Sequence, residues 1–301
     1  MEDMIIIGGG PAGITAAIYG LRANKNVLVL EKEGVGGKII TSPFIENYPG
    51  IMQIDGITLA ENLQKQVKQL GGKIKNEEVI GIKQQEDKKQ VITKQEKYDG
   101  KSVIIATGTM YKKLEIAKEE ELIGKGISFC ATCDGFFYRN KTVAVVGGGN
   151  TAVTNALELS NICQKVYLIQ VLDHLTAEPI LINRLKERQN IEFLYQTSVK
   201  RIIGEESLTG IEIEREGERE ERLIQGLFLS IGQIPETKLV KGMIQMNHEN
   251  YIMINENGMT NQKGIFAAGD CVNKKVRQLT TAINDGTIAA LNAIEYIDHL
   301  S

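Results

Sequence analysis

The chain has 301 residues, enough for two ordinary domains, each with its own core. Its 42% hydrophobic and 24% charged residues suit a globular protein, and a net charge of −3 gives no electrostatic reason to bind nucleic acid or an anionic membrane. No apolar run reaches transmembrane length, and Met4–Ile7 leads straight into a glycine loop, so a cytoplasmic chain with no leader and no membrane contact is expected.

Met4–Ile7 reads as a buried strand, Pro11–Ala23 as a helix, and Val27–Leu30 as a second strand ending at Glu31. The turn between the first two is Gly8-Gly9-Gly10-Pro11-Ala12-Gly13. Small residues at 8, 10 and 13 let the backbone turn tightly and approach a pyrophosphate, whose charge faces the helix N-terminus. Glu31 stands where an acid accepts hydrogen bonds from a ribose diol. Leu59–Leu70 reads as a helix. The lysine- and glutamine-rich stretch Lys83–Lys97 reads as an exposed antiparallel excursion, and Val103–Ala106 as a buried strand followed by Thr107-Gly108.

The pattern then restarts. Thr142–Val146 is a strand, Thr151–Asn161 a helix and Lys165–Ile169 a strand, with Gly147-Gly148-Gly149-Asn150-Thr151-Ala152 at the first turn. The charged stretch Glu214–Arg222 reads as a solvated hairpin or sheet edge. Leu227–Ile231 with Gly232-Gln233-Ile234-Pro235 marks an exit strand and linker. Gly264–Asp270 returns to a buried strand ending in a ligand-facing Gly-Asp, and Leu279–His299 closes the first domain. The expected fold is α/β: two Rossmann-like, doubly wound dinucleotide-binding domains, the second inserted in the first. The expected boundaries are 1–112 with 240–301, and 113–239.

Between the two glycine loops lies Cys130-Ala131-Thr132-Cys133-Asp134-Gly135. In a reducing cytosol such a pair is catalytic or metal-binding more often than structural. Zinc needs a second ligand pair, and neither Cys163 nor Cys271 has a Cys or His close in sequence, so no metal is expected and both read as passive buried residues. Two nucleotide loops flanking a dithiol describe an electron path from a bound nucleotide cofactor to a disulfide. Thiolate is the reacting form, so the site must favour it through a helix N-terminus or an acid–base neighbour.

Over essentially its whole length the chain resembles the low-molecular-weight thioredoxin reductases. Besides the first glycine loop and Cys130–Asp134, the likeness is carried by Glu46-Asn47-Tyr48-Pro49-Gly50, Ala106-Thr107-Gly108, and Gly269-Asp270 with Arg277-Gln278. The resemblance implies that FAD is held by Gly8, Gly10, Pro11, Ala12, Gly13, Glu31, Lys32, Ala106, Thr107, Gly108 and Gly269. Gly36, Gly37 and Asn47 would approach the flavin ring, Val79 the adenine and Asp270 the ribityl chain; Arg277, Gln278 and Leu279 would line the far side. Where the family has glutamine after its Gly-Gly, this chain has Lys38, a cation that either stabilises reduced flavin or points to solvent.

The same resemblance implies that Cys133 receives electrons from the flavin, and that Cys130 attacks the substrate disulfide. Asp134 would protonate the departing thiolate, cap a turn, or do both. Phe129, Phe136, Phe137 and Tyr138 would form a docking rim or pack between domains. A homodimer is implied, with the inserted domain rotating about hinges near Met110–Leu114 and Gly232–Leu239.

The step from Gly8 to Glu31, repeated from Gly147, lands on Gln170. Relatives that use NADPH read His-Arg-Arg here, whereas this chain reads Gln170-Val171-Leu172 and then Leu175-Thr176-Ala177. The family's paired glutamates are replaced by Thr154 and Asn155, and Arg184 lies further along a helix. Losing several charge-assisted bonds of about 1.5–3 kcal/mol each weakens NADPH by orders of magnitude. NAD(P)H is therefore not assumed. The expected activity is a thioredoxin-disulfide reductase fed by ferredoxin or flavodoxin, or by NADH, with thioredoxin or a similar protein as acceptor. Two other readings stay open. One is a flavin-dependent dithiol oxidase using oxygen, though such relatives carry His after the second Cys where this chain has Asp134. The other is a non-enzymatic redox-sensing flavoprotein.

Overall fold

A computed structural model describes residues 1–42, 44–85 and 88–300. The chain divides into two compact units, Met1–Met110 with Ile234–Ser301, and Tyr111–Gln233. Residues 234–239, given to the inserted domain in the sequence reading, group here with the first unit. Glu236 is the reason: its carboxylate pairs with Lys32, its carbonyl accepts from Thr107 Oγ1 and its N–H donates to Gly108 O.

The first unit opens with β1 (Glu2–Ile7), α1 (Pro11–Arg22), β2 (Val27–Glu31), α2 (Gly56–Gln69), β3 (Lys73–Asn76), β4 (Val79–Gln84), β5 (Lys89–Thr93) and β6 (Lys97–Ile105). The sheet order is β3-β2-β1-β6-β5-β4. Strand β1 lies between parallel β2 and β6, and both its faces are packed, Met4 and Ile6 in one buried cluster with Ile14 and Ala289 and Ile5 and Ile7 in another with Val240 and Ile252, so the four read as an unbroken apolar run. Helix α2 begins before the expected Leu59 because Asp55 caps it, accepting a 2.8 Å bond from Thr58 N.

Residues 86 and 87 of the stretch Lys83–Lys97 lie outside the described residues; the rest is antiparallel as expected, since β5 pairs antiparallel with β4 and β6. It is not simply exposed. Lys89, Val91 and Thr93 alternate along one buried face of β5. Lys89 keeps its charge satisfied by donating to Tyr296 Oη at 2.8 Å while lying 4.8 Å over that ring. Counting polar residues concealed a period-two stripe in which a lysine stem serves as core.

The chain leaves through β7 (Thr109–Tyr111) and continues as α3 (Glu119–Leu122), β8 (Ile127–Ser128), α4 (Ala131–Asp134), β9 (Thr142–Val146), α5 (Asn150–Ser160), β10 (Lys165–Gln170), α6 (Pro179–Lys186) and β11 (Ile191–Tyr195). Next come β12 (Thr197–Gly204), β13 (Leu208–Arg215), β14 (Glu218–Leu223) and β15 (Gly226–Leu229). A parallel sheet of order β11-β10-β9-β15-β8 forms the second Rossmann-like core. Strands β12–β14 make a separate antiparallel sheet, and the charged Glu214–Arg222 stretch is its hairpin. Arg219 there bonds Glu214 at 3.1 Å and Glu212 at 3.2 Å across the strands.

The return passes through β16 (Gln233–Pro235), which pairs with β7, to β17 (Ile265–Ala267), parallel to β6. Helix α7 (Leu279–Asp298) then packs on α1. No helix among the described residues is long and apolar enough to cross a membrane.

The α1–α7 contact is close enough to test. A Cβ on Gly286 would sit 2.2 Å from the backbone oxygen of Ala12. In an isolated helix Gly286→Ala would gain about 1 kcal/mol of propensity. Here overpacking against backbone costs about 1–3 kcal/mol or more, so the thermal midpoint should fall. An unchanged or raised midpoint would mean that the two helices separate at no cost.

Candidate active site

At the end of β1 the chain must turn into α1 beneath β6. Gly8 does this with φ +109°, and a Cβ there would lie 2.3 Å from Ala106 O, so no side chain fits. Gly10 is the N-cap of α1; no side chain caps it, and the space where its Cβ would be is open to 4 Å. Pro11, Ala12 and Gly13 follow as the first turn. The free amides at this helix start suit an anionic group. Glu31, at the end of β2, accepts from Gly9 N at 2.5 Å and from Glu33 N at 2.9 Å. Its carboxylate is thereby fixed beside the loop with acceptor capacity to spare. Lys32, next to it, pairs with Glu236.

The remaining residues expected around the cofactor are held by the same unit. Ala106 N donates to Ile7 O, Thr107 anchors to Glu236 O at 2.7 Å, and Gly108 has open space at its Cβ position. Gly36 N donates to Gly9 O, and a Cβ on Gly37 would come to 3.4 Å from Gly10 Cα, which puts Gly36-Gly37 at the first loop. Asn47 Nδ2 donates to Gln278 Oε1 at 3.4 Å, so those two distant expected residues meet. Gln278 caps α7, whose first residue is Leu279, and Arg277 lies 3.9 Å over the Tyr251 ring with its Nε donating to Asp270 O. Val79 starts β4, paired with Thr93.

Asp270 is the informative member. Its Oδ1 is buried with no hydrogen-bond partner among the described residues; Lys274 Nζ lies 3.3 Å away, outside bonding geometry. A buried acceptor that makes an ion pair but no hydrogen bond, beside an open glycine loop, fits a hydroxylated ligand such as the ribityl chain of FAD. Lys274 and Asp285 support it: Lys274 pairs with Asp285 at 2.7 Å, and Asp285 accepts from Gly269 N at 3.2 Å. Neither was read from the sequence, where only the Asp270–Lys274 spacing hinted at a pair.

Lys38 does not simply point to solvent. Its ammonium donates to Thr109 Oγ1 at 2.7 Å. Burial pushes its pKa from 10.5 down to about 7, against the opposing fields of Asp270 and Glu236.

The second loop repeats the first in backbone. Gly147 has φ +130°, and its Cβ would lie 2.2 Å from Ser230 O. The loop lines a cavity of about 370 Å³, together with Tyr111, Ser230 and Gln233. The side chains differ. Gln170 abuts Gly148, donates to His174 O at 3.2 Å and accepts from Val171 N at 3.0 Å, so both ends of its amide hold its own loop. Val171, Leu172 and Asp173 are exposed. Asn150, first residue of α5, exchanges two 2.8 Å bonds with Glu178, which places a carboxylate at that helix start. Asn155 is buried and donates to Ser230 Oγ.

Cys130 and Cys133 are joined as a disulfide. Cys130 caps α4, its sulfur accepting from Cys133 N at 3.0 Å. Cys130 is only 8% exposed, whereas Cys133 is exposed. Asp134 Oδ2 accepts a 2.6 Å bond from Ser128 Oγ, and Ser128 Oγ also accepts from Cys130 N at 3.0 Å. Ser128 was not singled out in the sequence, where nothing separates it from any serine ending a strand. Thr132 donates to Glu158, whose pKa burial raises. Of the nearby aromatics, Phe129 stacks on Tyr111 and Tyr138 meets Phe228 edge-on, while Phe136 and Phe137 are each 68% exposed.

The sequence matches the family described as pyridine nucleotide-disulphide oxidoreductase over residues 2–286. A Clostridium pasteurianum protein described as "34.2 kDa protein in rubredoxin operon" is 41% identical over 298 residues, covering 98% of this chain and 97% of its own length. The structure of Lactococcus lactis thioredoxin reductase superposes with a TM-score of 0.97 at 36% identity, covering 99% of this chain and all of that one. A ferredoxin-flavin thioredoxin reductase from Clostridium acetobutylicum matches at 33% identity and a TM-score of 0.55, covering 99% and 98%. With two glycine-loop units and a dithiol between the loops in sequence, the chain belongs to the pyridine nucleotide-disulphide oxidoreductases and, among them, to the low-molecular-weight thioredoxin reductases. Its class is that of oxidoreductases acting on disulfides.

The Lys38 environment has a pH consequence. Between about pH 7 and 10.5 the unfolded chain binds more protons at this residue than the folded one, so its penalty is complete below pH 7 and relieved as pH rises. In the apoprotein, Lys38→Met should raise the thermal midpoint most at about pH 6, and the gain should shrink toward about pH 10. A gain independent of pH would show that the ammonium is solvated.

Proposed function

We propose that this protein is an FAD-dependent disulfide reductase that passes electrons through Cys130–Cys133 to thioredoxin or a similar protein, and that its electron donor is not NADPH. The observation that carries the reading is the Cys130–Cys133 disulfide with its Ser128–Asp134 hydrogen bond, in a chain whose other unit keeps Asp270 Oδ1 without a hydrogen bond among the described residues beside an open glycine loop. FAD, when bound, supplies a two-electron carrier able to reduce a disulfide. The first glycine loop would hold its pyrophosphate, Glu31 its ribose and Asp270 its ribityl hydroxyls.

On the thiol side the chemistry is exchange. Once the disulfide has been opened by two electrons and two protons, the Cys130 thiolate attacks one sulfur of the substrate disulfide and forms a mixed disulfide. The Cys133 N–H that Cys130 Sγ accepts favours that thiolate. Asp134 protonates the departing sulfur, and Cys133 then attacks Cys130 to release the second thiol and re-form the internal bond. Exposed Phe136 and Phe137 offer an apolar rim for a small protein substrate.

The donor reading rests on the second loop. Gln170 is committed to its own loop, Val171 and Leu172 stand where phosphate-binding arginines would be, and Glu178 brings negative charge to the start of α5. Ferredoxin or flavodoxin fits this arrangement best, with NADH next. The names of the two clostridial relatives, one in a rubredoxin operon and one ferredoxin-flavin dependent, lean the same way.

Under anaerobic conditions, reduced ferredoxin should bleach the bound flavin's visible absorbance quickly and NADPH slowly. Rapid bleaching by NADPH would overturn the donor reading. With Cys133→Ser, a disulfide-linked adduct with thioredoxin should accumulate through Cys130, and Cys130→Ser should give none; the reverse pattern would exchange the two roles.

A further inference from the structure

We propose that Ser128 is a positioning residue for the dithiol, its hydroxyl holding the Asp134 carboxyl in both of that group's protonation states. The inference rests on the roles given above to Asp134 and Cys130–Cys133.

Ser128 ends β8 and is buried. Its Oγ has three neighbours in bonding range: Cys130 N at 3.0 Å, Asp134 Oδ2 at 2.6 Å and Cys130 O at 3.3 Å. Asp134 N donates to the same Cys130 carbonyl at 3.2 Å, so serine, aspartate and the first cysteine form one closed network. A hydroxyl has one proton and two lone pairs. The Cys130 amide always occupies one lone pair, and the proton has two acceptors to choose between.

With Asp134 ionised, the Ser128 proton points along the short line to Oδ2. With Asp134 protonated, the carboxyl donates back along that line into the second lone pair, and the Ser128 proton swings to Cys130 O. Each state leaves Ser128 bonded on every side, so the carboxyl gains and loses a proton without losing its anchor. As the Cys130 thiolate bonds to one sulfur of the substrate disulfide, that disulfide's S–S bond breaks and its electron pair leaves with the other sulfur. That sulfur takes the Asp134 proton. The carboxylate left behind receives the Ser128 hydrogen bond, and water later returns the proton.

Removing the hydroxyl takes that anchor away in both states, so the exchange step should slow by about tenfold. A serine that only satisfied the Cys130 amide would cause the same loss whether or not the Asp134 carboxyl is present.

The test uses holoenzyme reduced with stoichiometric dithionite and mixed with oxidised thioredoxin in a single turnover, which makes the physiological donor irrelevant. Ser128→Ala, Ser128→Thr, Asp134→Asn and the Ser128→Ala/Asp134→Asn pair are compared, with flavin spectrum and thermal midpoint as controls for folding. Support is slowed exchange in Ser128→Ala, its restoration in Ser128→Thr, and a double variant no slower than Asp134→Asn alone. Undiminished exchange in Ser128→Ala, or losses that multiply in the double variant, would overturn the proposal while leaving the role of Asp134 intact. Wild-type turnover by Asp134→Asn would remove that role and the proposal together.

Discussion

At the carboxyl end of the central strand in each unit, two backbones approach too closely for any side chain. Gly8 lies under the Ala106 carbonyl and Gly147 under the Ser230 carbonyl, with hypothetical Cβ contacts of 2.3 and 2.2 Å. From that approach follow the positive φ, the sharp passage into a helix and the aim of the helix amides at one point beyond the sheet. It also sets which residue ends the neighbouring strand beside the loop: Glu31 in one unit and Gln170 in the other.

The two loops share a backbone but not a polar economy. In the first unit Glu31 braces the loop and Asp270 Oδ1, though ion-paired with Lys274, accepts no hydrogen bond among the described residues, so a polar ligand would gain a bond that the protein alone lacks. In the second, the groups around the glycines are paired among themselves: Gln170 with its own loop, Asn150 with Glu178, Thr176 N with Gly148 O. The same backbone thus carries different side-chain pairings around its two glycine loops.

Much of this was legible in the chain itself. Strand, glycine loop, helix and acid fall in order because each obeys a local rule that sequence states directly, and the Cys-x-x-Cys at 130–133 needs no tertiary information. Asn47 and Gln278 could be named but not joined, since they lie far apart in the chain and meet only in the fold. Lys89 was misplaced because lysine counts as polar whatever its stem packs against. Ser128, Lys274 and Asp285 were missed for a related reason: a single hydroxyl or ion pair acquires meaning only from what stands opposite, and no spacing rule announces it. The division at Ile234 turns on Glu236, one residue whose partners lie far upstream: Lys32 at its carboxylate and Thr107 at its carbonyl.

The two remaining cysteines bear on electron stoichiometry. Cys163 and Cys271 are both buried free thiols; burial pushes the Cys163 pKa up to about 11 and raises that of Cys271 as well. At neutral pH both are held as thiols, so neither exchanges readily with the Cys130–Cys133 disulfide. The polypeptide therefore stores two electrons rather than four, and its oxidised form has one pairing instead of several. A reductant titration of this chain has a single protein endpoint to find.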